Sequence, residues 1–432
     1  MKDPSVVDSS ASSRSSRPAG ARHRLAIVLS GGGARGAYEA GVLSYLFEEI
    51  YPLLGDDFEF DIVSGTSVGA IHAAYIAASH GMAPAERSKG LIETWSSMSF
   101  ETVLNMKWRH LLGVPLRAAG LLPMRRSSGT PGPDGAMQET FGGLLDIAPL
   151  EGLVRARIPW ERLAANLDAG RPGTVCVAAT EITTGMIRLF MAGHGVDTSP
   201  WDFDPQVNAV HVSLTQEHVR ASAAIPFLFP AVRVGDCFYV DGGIRLNTPL
   251  SPAIRMKADR VLVVGVKHKT GPSAPATKPC NIESIAKPAF LLGKLLDAIL
   301  LDPIENELRQ LDVINALLEG GRAAFGTDFE EKLAPYIRAK RGIGYRSVET
   351  RIINPSRDLG TIAAESQRES RNTGKGLVSS LITRTASMGT PYDEADFLSY
   401  VYFDNSYTQR LIELGREDAR ADHDAILELL IT

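Results

Sequence analysis

One stretch, Phe60 to Ala70, most constrains how this chain can fold. A short apolar run ends in Gly65-Thr66-Ser67-Val68-Gly69, and small residues typical of a packed helix follow directly. This order of strand, G-x-S-x-G and helix is the context in which a serine occupies a tight, strained turn. Gly65 and Gly69 would crowd each other at such a turn, and only residues without a Cβ fit there easily. Ser67 would then lie at a helix N-terminus, which favours negative charge.

A second glycine-rich turn precedes it. The apolar run Leu25 to Leu29 predicts a buried strand, and Gly31-Gly32-Gly33-Ala34-Arg35-Gly36 leads from it into a helix. Such a turn predicts an anion site made of backbone N–H groups. A dinucleotide site fits poorly, because Asp61 lies roughly 25 residues on and precedes the apolar end of its strand. A P-loop would need Gly-Lys-Ser/Thr, which is absent. The third interpretation is an oxyanion hole for an intermediate formed at Ser67.

Ser67 needs a base, and the sequence offers two arrangements. A conventional triad would combine Asp241 with His268 or His423. His268 stands between two lysines, and His423 occupies a position typical of an exposed helix. The other arrangement is a dyad in which Asp241 accepts the serine proton directly. An aspartate with an ordinary pKa near 4 would be a weak base.

His72 follows Ser67 by five residues. That spacing places it roughly on the opposite side of the helix, so we predict a packed histidine there rather than a base.

Three motifs occur in the order found in a known family. They are the glycine turn, the G-x-S-x-G elbow and Asp241-Gly242-Gly243, with Val177 to Thr180 and Ala221 to Pro226 as further similar stretches. Over roughly Leu25 to Val266 the chain resembles the patatin-like phospholipases, which are lipid acyl hydrolases with a Ser/Asp dyad.

The resemblance implies a three-layer α/β/α fold around a mainly parallel central sheet, and catalysis without a metal or cofactor. It makes Ser67 the nucleophile and Asp241 the proton acceptor, with Arg35 fixing the glycine loop. The implied oxyanion and substrate-binding residues are Gly31, Gly32, Gly33, Ala34, Arg35 and Gly36. The residues implied to support the elbow and the dyad are Gly65, Gly69, Gly242 and Gly243.

The composition indicates which classes of partner and which cellular location to expect. A formal net charge of −5 gives no basic excess for nucleic acid. The three cysteines are far apart without a C-x-x-C, so neither disulfides nor a zinc site is indicated. Residues 1–24 lack the apolar core of a signal peptide, and no apolar run reaches about 18 residues. We therefore expect a cytoplasmic protein without a transmembrane helix.

The basic, aromatic-bearing stretch Ser96 to Arg126 adds a hypothesis of peripheral contact with the inner membrane surface. The expected partner is a lipid or acyl-ester substrate, and the oligomeric state stays open.

The predicted organisation has three parts. Residues 1–24 form a disordered tail, and residues 25–278 form the catalytic domain, with an insertion or lid at about 96–145. Residues 279–432 form a mostly helical extension packed on the core, ending in two helices around Gly415. Within the insertion, the Pro/Gly/Ser-rich residues 127–135 predict a loop.

The expected function is that of a serine-dependent lipid acyl hydrolase, similar to phospholipase A or lysophospholipase. Two alternatives stay open: a Ser-His-Asp triad esterase or thioesterase, and a non-catalytic lipid- or nucleotide-binding protein on the same scaffold.

Overall fold

The computed structural model describes residues 23–55, 58–98, 127–131, 137–140, 148–226, 228–268, 303–372 and 395–431. Its strands are β1 (Leu25–Leu29), β2 (Ile62–Thr66), β3 (Ser127–Pro131), β4 (Met137–Thr140), β5 (Thr174–Glu181), β6 (Ile187–Gly193), β7 (Val207–His211), β8 (Val232–Val234), β9 (Cys237–Asp241), β10 (Arg260–Val264) and β11 (Glu349–Ile353).

The helices alternate with these strands in the first half of the chain and dominate its end. They are α1 (Gly36–Tyr45), α2 (Tyr51–Leu54), α3 (Val68–Ser79), α4 (Pro84–Ser96), α5 (Ala148–Arg157), α6 (Trp160–Asp168), α7 (Gln216–Ser222), α8 (Gly243–Leu246), α9 (Leu250–Arg255), α10 (Pro303–Phe325), α11 (Phe329–Arg341), α12 (Leu359–Asn372), α13 (Ala395–Val401), α14 (Asn405–Ala421) and α15 (His423–Ile431). A π-helical turn, Leu46–Ile50, joins α1 to α2.

The main sheet has the order β11-β10-β1-β2-β5-β6-β7, with β9 paired to β5 and β8 to β9. Strands β11, β10, β1, β2 and β5 are mutually parallel, whereas β6 and β9 run antiparallel to β5. All five residues of β1 are buried, as expected for a central parallel strand covered on both faces. Because β1 and β2 are adjacent and parallel, their carboxyl ends lie side by side. The glycine turn after β1 therefore meets the elbow after β2.

Helices cover both faces of this sheet. Ile27 and Leu29 point into one core with α1, α3 and α14, whereas Ala26 and Val28 point into a second core with α9 and α10. This alternation follows from the two-residue period of a strand. The predicted three-layer α/β/α fold with a mainly parallel sheet is confirmed.

The described C-terminal elements share this architecture. Strand β11 extends the sheet beyond β10, and α14 packs along α1. The division into a catalytic domain and an extension stays a prediction. Residues 1–22, which make up most of the predicted tail, lie outside the described part of the chain. Residues 99–126, which make up much of the predicted lid, and residues 269–302 lie outside it as well. Within the insertion, the predicted loop at 127–135 is wrong for its first residues, because β3 and β4 pair as antiparallel strands.

The prediction of two helices around Gly415 is wrong in its break point. Helix α14 runs through Gly415, and the chain bends at Asp422 instead. Gly415 serves the crossing of two helices, because a Cβ there would lie 2.2 Å from the carbonyl oxygen of Tyr38 in α1. A pattern read along one helix shows a glycine but not the neighbouring backbone that requires it.

No helix in the described ranges is both long and apolar enough to cross a membrane.

We expect Gly415→Ala to lower the free energy of unfolding by about 1–3 kcal/mol, since the new methyl group overpacks the α1–α14 contact. The matched control is Gly320→Ala in α10, where a Cβ meets nothing within 4 Å. That substitution should stabilise by roughly 0.5–1 kcal/mol through helix propensity. Chemical denaturation of both variants measures the difference, and equal stabilisation by both would contradict the close crossing.

Candidate active site

Ser67 occupies the sharp turn between β2 and α3. Its backbone has φ 56° and ψ −123°, a left-handed conformation that is unusual for a residue other than glycine. A Cβ at Gly65 would lie 2.1 Å from the carbonyl oxygen of Gly69, and one at Gly69 would lie 2.4 Å from that of Leu29. The spacing of the two glycines is thus required by backbone atoms on both sides of the serine.

Asp241 meets Ser67 from the end of β9. The hydroxyl of Ser67 donates to Oδ2 of Asp241 at 2.6 Å, and the N–H of Gly243 donates to Oδ1 at 2.7 Å. The backbone N–H of Gly242 donates to the carbonyl of Ser222 at 3.3 Å. Both serine and aspartate are almost fully buried, with 4% and 2% of their surface exposed. The structure therefore brings the two predicted partners together, although they stand far apart in sequence.

Burial changes the basicity of Asp241. Removal of the carboxylate from water raises its pKa to about 7, against the opposing hydrogen bonds from Ser67 and Gly243. The ordinary aspartate pKa near 4 therefore does not apply to Asp241, because its carboxylate is buried. A carboxylate with a pKa near neutrality is a much better proton acceptor at pH 7.

Ser222 fixes the nucleophile turn from behind. Its hydroxyl accepts a hydrogen bond from the backbone N–H of Ser67 at 2.9 Å and donates to the carbonyl of Ala178 at 2.6 Å. Ser222 lies in one of the stretches similar to the family, but its sequence context predicts no role for it. No spacing rule links the end of α7 to the elbow, so only the folded chain reveals this contact.

The glycine turn lies beside the elbow and is held from β10 and from the loop after α8. The N–H of Gly31 donates to the carbonyl of Asn247 at 3.0 Å, and the side-chain amide of Asn247 donates back to the carbonyl of Gly31 at 3.2 Å. Ser30 bonds to Thr248 at 2.8 Å. Among the described residues, the N–H groups of Gly32 and Gly33 have no hydrogen-bond partner.

The remaining residues of the glycine turn have different surroundings. Gly33 lines the pocket that contains Ser67, Ala34 is buried, and Gly36 begins α1. The Arg35 side chain is buried, and its Nε donates to the hydroxyl of Ser399 at 2.7 Å.

A buried polar chain connects the glycine turn to α3 and α4. Glu39 accepts from the N–H of Ser30 at 2.7 Å, and its other oxygen lies 2.9 Å from Nδ1 of His72. Nε2 of His72 accepts from the indole N–H of Trp95 at 2.9 Å. Nδ1 therefore carries the ring proton and donates to Glu39. Burial lowers the pKa of His72 to about 3, so the ring is a neutral packed histidine.

The pocket beside Ser67 is lined mainly by apolar and aromatic side chains. Helices α3, α4 and α5, the turn after α7 and the end of α13 all contribute to it. The lining residues are Gly33, Ser67, Val68, Ile71, His72, Tyr75, Leu91, Thr94, Trp95, Met98, Val154, Arg157, Ile158, Ala223, Ile225, Phe229, Tyr400, Val401 and Phe403. Such a cleft accommodates an apolar chain next to a reactive hydroxyl.

A sequence model of the patatin-like phospholipases matches residues 27–254, just over half of the 432-residue chain. This chain belongs to the patatin-like phospholipase family. The match ends before β10, β11 and the C-terminal helices.

Two known proteins show similarity to this chain. A cGAMP-activated phospholipase from Pseudomonas aeruginosa is 28% identical over 225 residues, which cover 52% of this chain and 53% of the relative. The chain thus spans about half the length of that curated relative. The crystal structure of VipD from Legionella pneumophila aligns with 90% of this chain and 67% of its own at 13% identity, with a TM-score of 0.30.

The two histidines considered for a triad bond elsewhere in this patatin-like chain. His268 Nδ1 lies 2.8 Å from the carbonyl oxygen of Pro355, and His423 Nδ1 lies 2.9 Å from the hydroxyl of Tyr45. Within the described residues, no histidine is a hydrogen-bond partner of Ser67 or Asp241.

We expect Asp241→Asn to raise the free energy of unfolding at pH 8, by up to about 4 kcal/mol, since one pKa unit corresponds to about 1.4 kcal/mol. The folded state holds the Asp241 proton more tightly than the unfolded state, so wild-type stability falls as pH rises from about 4 to about 7. The amide removes that loss. Denaturation at pH 5 and pH 8 measures it, with the exposed Asp236→Asn as control. A variant less stable than wild type at pH 8 would contradict the burial cost.

Proposed function

We propose that this patatin-like chain hydrolyses fatty acyl esters of lipids with Ser67 as nucleophile and Asp241 as base. The observation that carries the proposal is the 2.6 Å hydrogen bond from the Ser67 hydroxyl to the buried Asp241 carboxylate. The family match and the apolar pocket support it.

In the first half-reaction, Oγ of Ser67 attacks the ester carbonyl while Oδ2 of Asp241 accepts the hydroxyl proton. The carbonyl oxygen becomes an oxyanion, and the N–H groups of Gly32 and Gly33, which have no partner among the described residues, are its candidate donors in the glycine turn. The N-terminus of α3 adds a favourable partial positive charge. The protonated Asp241 then returns its proton to the leaving alcohol, which departs and leaves an acyl-serine.

In the second half-reaction, a water molecule attacks the acyl-serine and Asp241 accepts its proton. Collapse of the intermediate releases the fatty acid and restores the Ser67 hydroxyl. The hydrogen bond from Gly243 to Oδ1 holds the carboxylate in one orientation throughout, so that Oδ2 faces the reacting groups.

The lining of the pocket supports a lipid substrate. Its lining offers apolar contact over the side chains of α3, α4 and α5, which suits a fatty acyl chain better than a polar acyl group. Arg157 is a charged lining residue of α5, half-exposed and close to Glu93.

We expect Ser67→Ala to lower kcat/KM for a lipid ester by at least about 10⁴-fold, since it removes the nucleophile. Asp241→Asn should lower it by about 10²–10⁴-fold, because the amide cannot accept the proton. Release of fatty acid, resolved by mass spectrometry of a lipid digest, measures both losses.

The control for Ser67→Ala is Ser79→Ala, which removes a buried hydroxyl at the far end of the same helix. It should keep the wild-type rate and the covalent labelling of Ser67 by a fluorophosphonate. Wild-type protein that resists the probe would favour a non-catalytic binding protein, and full activity in Ser67→Ala would refute the proposed nucleophile.

The rate should depend on pH through Asp241. Only the carboxylate accepts a proton, so kcat/KM should fall about tenfold per pH unit below about 7 and level off above it. A soluble short-chain ester assayed from pH 5 to pH 9 measures the profile. A histidine base would titrate in the same range, so His268→Ala and His423→Ala are the controls and should leave the profile unchanged. A profile that is flat down to pH 5 would exclude Asp241 as the base.

A further inference from the structure

The wall of the pocket contains residues that lie far beyond the part of the chain matched by the family. Tyr400, Val401 and Phe403 line the pocket with Ser67, whereas the family match ends at residue 254. We call residues 398–403 the C-terminal wall. All three lining residues are buried, although they border the pocket. These three residues of the C-terminal wall are thus part of the site itself.

The C-terminal wall also contacts the glycine turn. The guanidinium of Arg35 lies 4.0 Å from the centre of the Tyr400 ring, and its Nε donates to Ser399. The backbones of the glycine turn and the C-terminal wall are also in close contact. Gly33 has φ 56°, and a Cβ there would lie 2.3 Å from the carbonyl oxygen of Tyr400. The position of the C-terminal wall relative to Ser67 is therefore fixed by contacts to the same turn that borders the nucleophile.

At its other end the C-terminal wall joins α4. The ring of Phe403 stacks on that of Trp95, with centroids 6.5 Å apart and planes 15° from parallel. Trp95 is held in turn by His72. Phe403 therefore packs against a fixed aromatic ring, and its size sets how much room remains on this side of the pocket.

We propose that Val401 and Phe403 determine which acyl-chain lengths the enzyme accepts. The inference rests on the proposed function, because it assigns the acyl chain of that substrate to this side of the pocket. The volume that these two side chains leave free sets how many methylene groups of an acyl chain can make apolar contact with the pocket. One methylene in a tight apolar pocket changes kcat/KM by about 10-fold or more.

Two substitutions of opposite sign test the proposal. Phe403→Leu enlarges the pocket and should raise the ratio of kcat/KM for a 16-carbon ester to that for an 8-carbon ester by about tenfold. Val401→Phe fills the pocket and should lower the same ratio by a similar factor. A series of acyl esters that differ only in chain length supplies the measurement.

Tyr402→Leu is the matched control. Tyr402 neighbours Phe403 and is equally buried, with 5% and 7% of their surfaces exposed, but its ring packs on Tyr407 and does not line the pocket. It should cost comparable stability and leave the chain-length ratio unchanged. Labelling of Ser67 by alkyl fluorophosphonates of increasing length gives the same comparison without turnover, should a variant be too weakly active.

The outcomes separate this inference from the function on which it rests. Hydrolysis that depends on Ser67, with ratios in Phe403→Leu and Val401→Phe within twofold of wild type, would overturn the inference alone. An equal shift in Tyr402→Leu would also overturn it, since a general loosening would then explain the effect. Absence of Ser67-dependent hydrolysis and labelling in the wild type would overturn both. Should Phe403→Leu fail to fold, Val401→Phe decides by itself.

Discussion

The buried hydrogen bond between Ser67 and Asp241 is the contact on which the rest of the site depends. A carboxylate away from water is costly, and the surrounding fold compensates only in part, through one backbone N–H and one hydroxyl. The remaining cost appears as a raised pKa, which is the property a base needs near neutral pH. In the proposed mechanism, this cost in stability accompanies the basicity that Asp241 needs.

The sheet makes this contact possible. Strand β2 delivers Ser67 and β9 delivers Asp241, and both pair with β5. Because β9 runs antiparallel to β5, its last residue approaches the carboxyl end of the parallel strands. Ser222 then joins the turn after β2 to the carbonyl of Ala178 in β5. The side chains of Ser67 and Asp241 are therefore positioned by neighbouring backbone segments of the sheet, which brings them within hydrogen-bond distance.

The buried strands and the elbow could be predicted because each leaves a local signature, whereas the fold class and the choice of Asp241 as the partner of Ser67 followed from the resemblance to the patatin-like phospholipases. Apolar runs mark the buried strands, and glycines mark turns where a Cβ cannot fit. The features that could not be predicted from the sequence depend on long-range contacts, which leave no such signature. Ser222, Asn247 and the C-terminal wall act through folded geometry, and the pKa of Asp241 depends on burial that no single residue type encodes. Gly415 misled for the same reason.

The contact of Gly33 and Arg35 with Tyr400 and Ser399 has a consequence for biosynthesis. A ribosome that has reached residue 266 has made Ser67, Asp241 and the glycine turn, yet residues 395–403 are still to be translated. Until they emerge, the nascent chain lacks the part of the pocket lining formed by Tyr400, Val401 and Phe403, and its glycine turn lacks the contacts with Tyr400 and Ser399. The pocket beside Ser67 is therefore completed only long after both members of the Ser67–Asp241 pair have been translated.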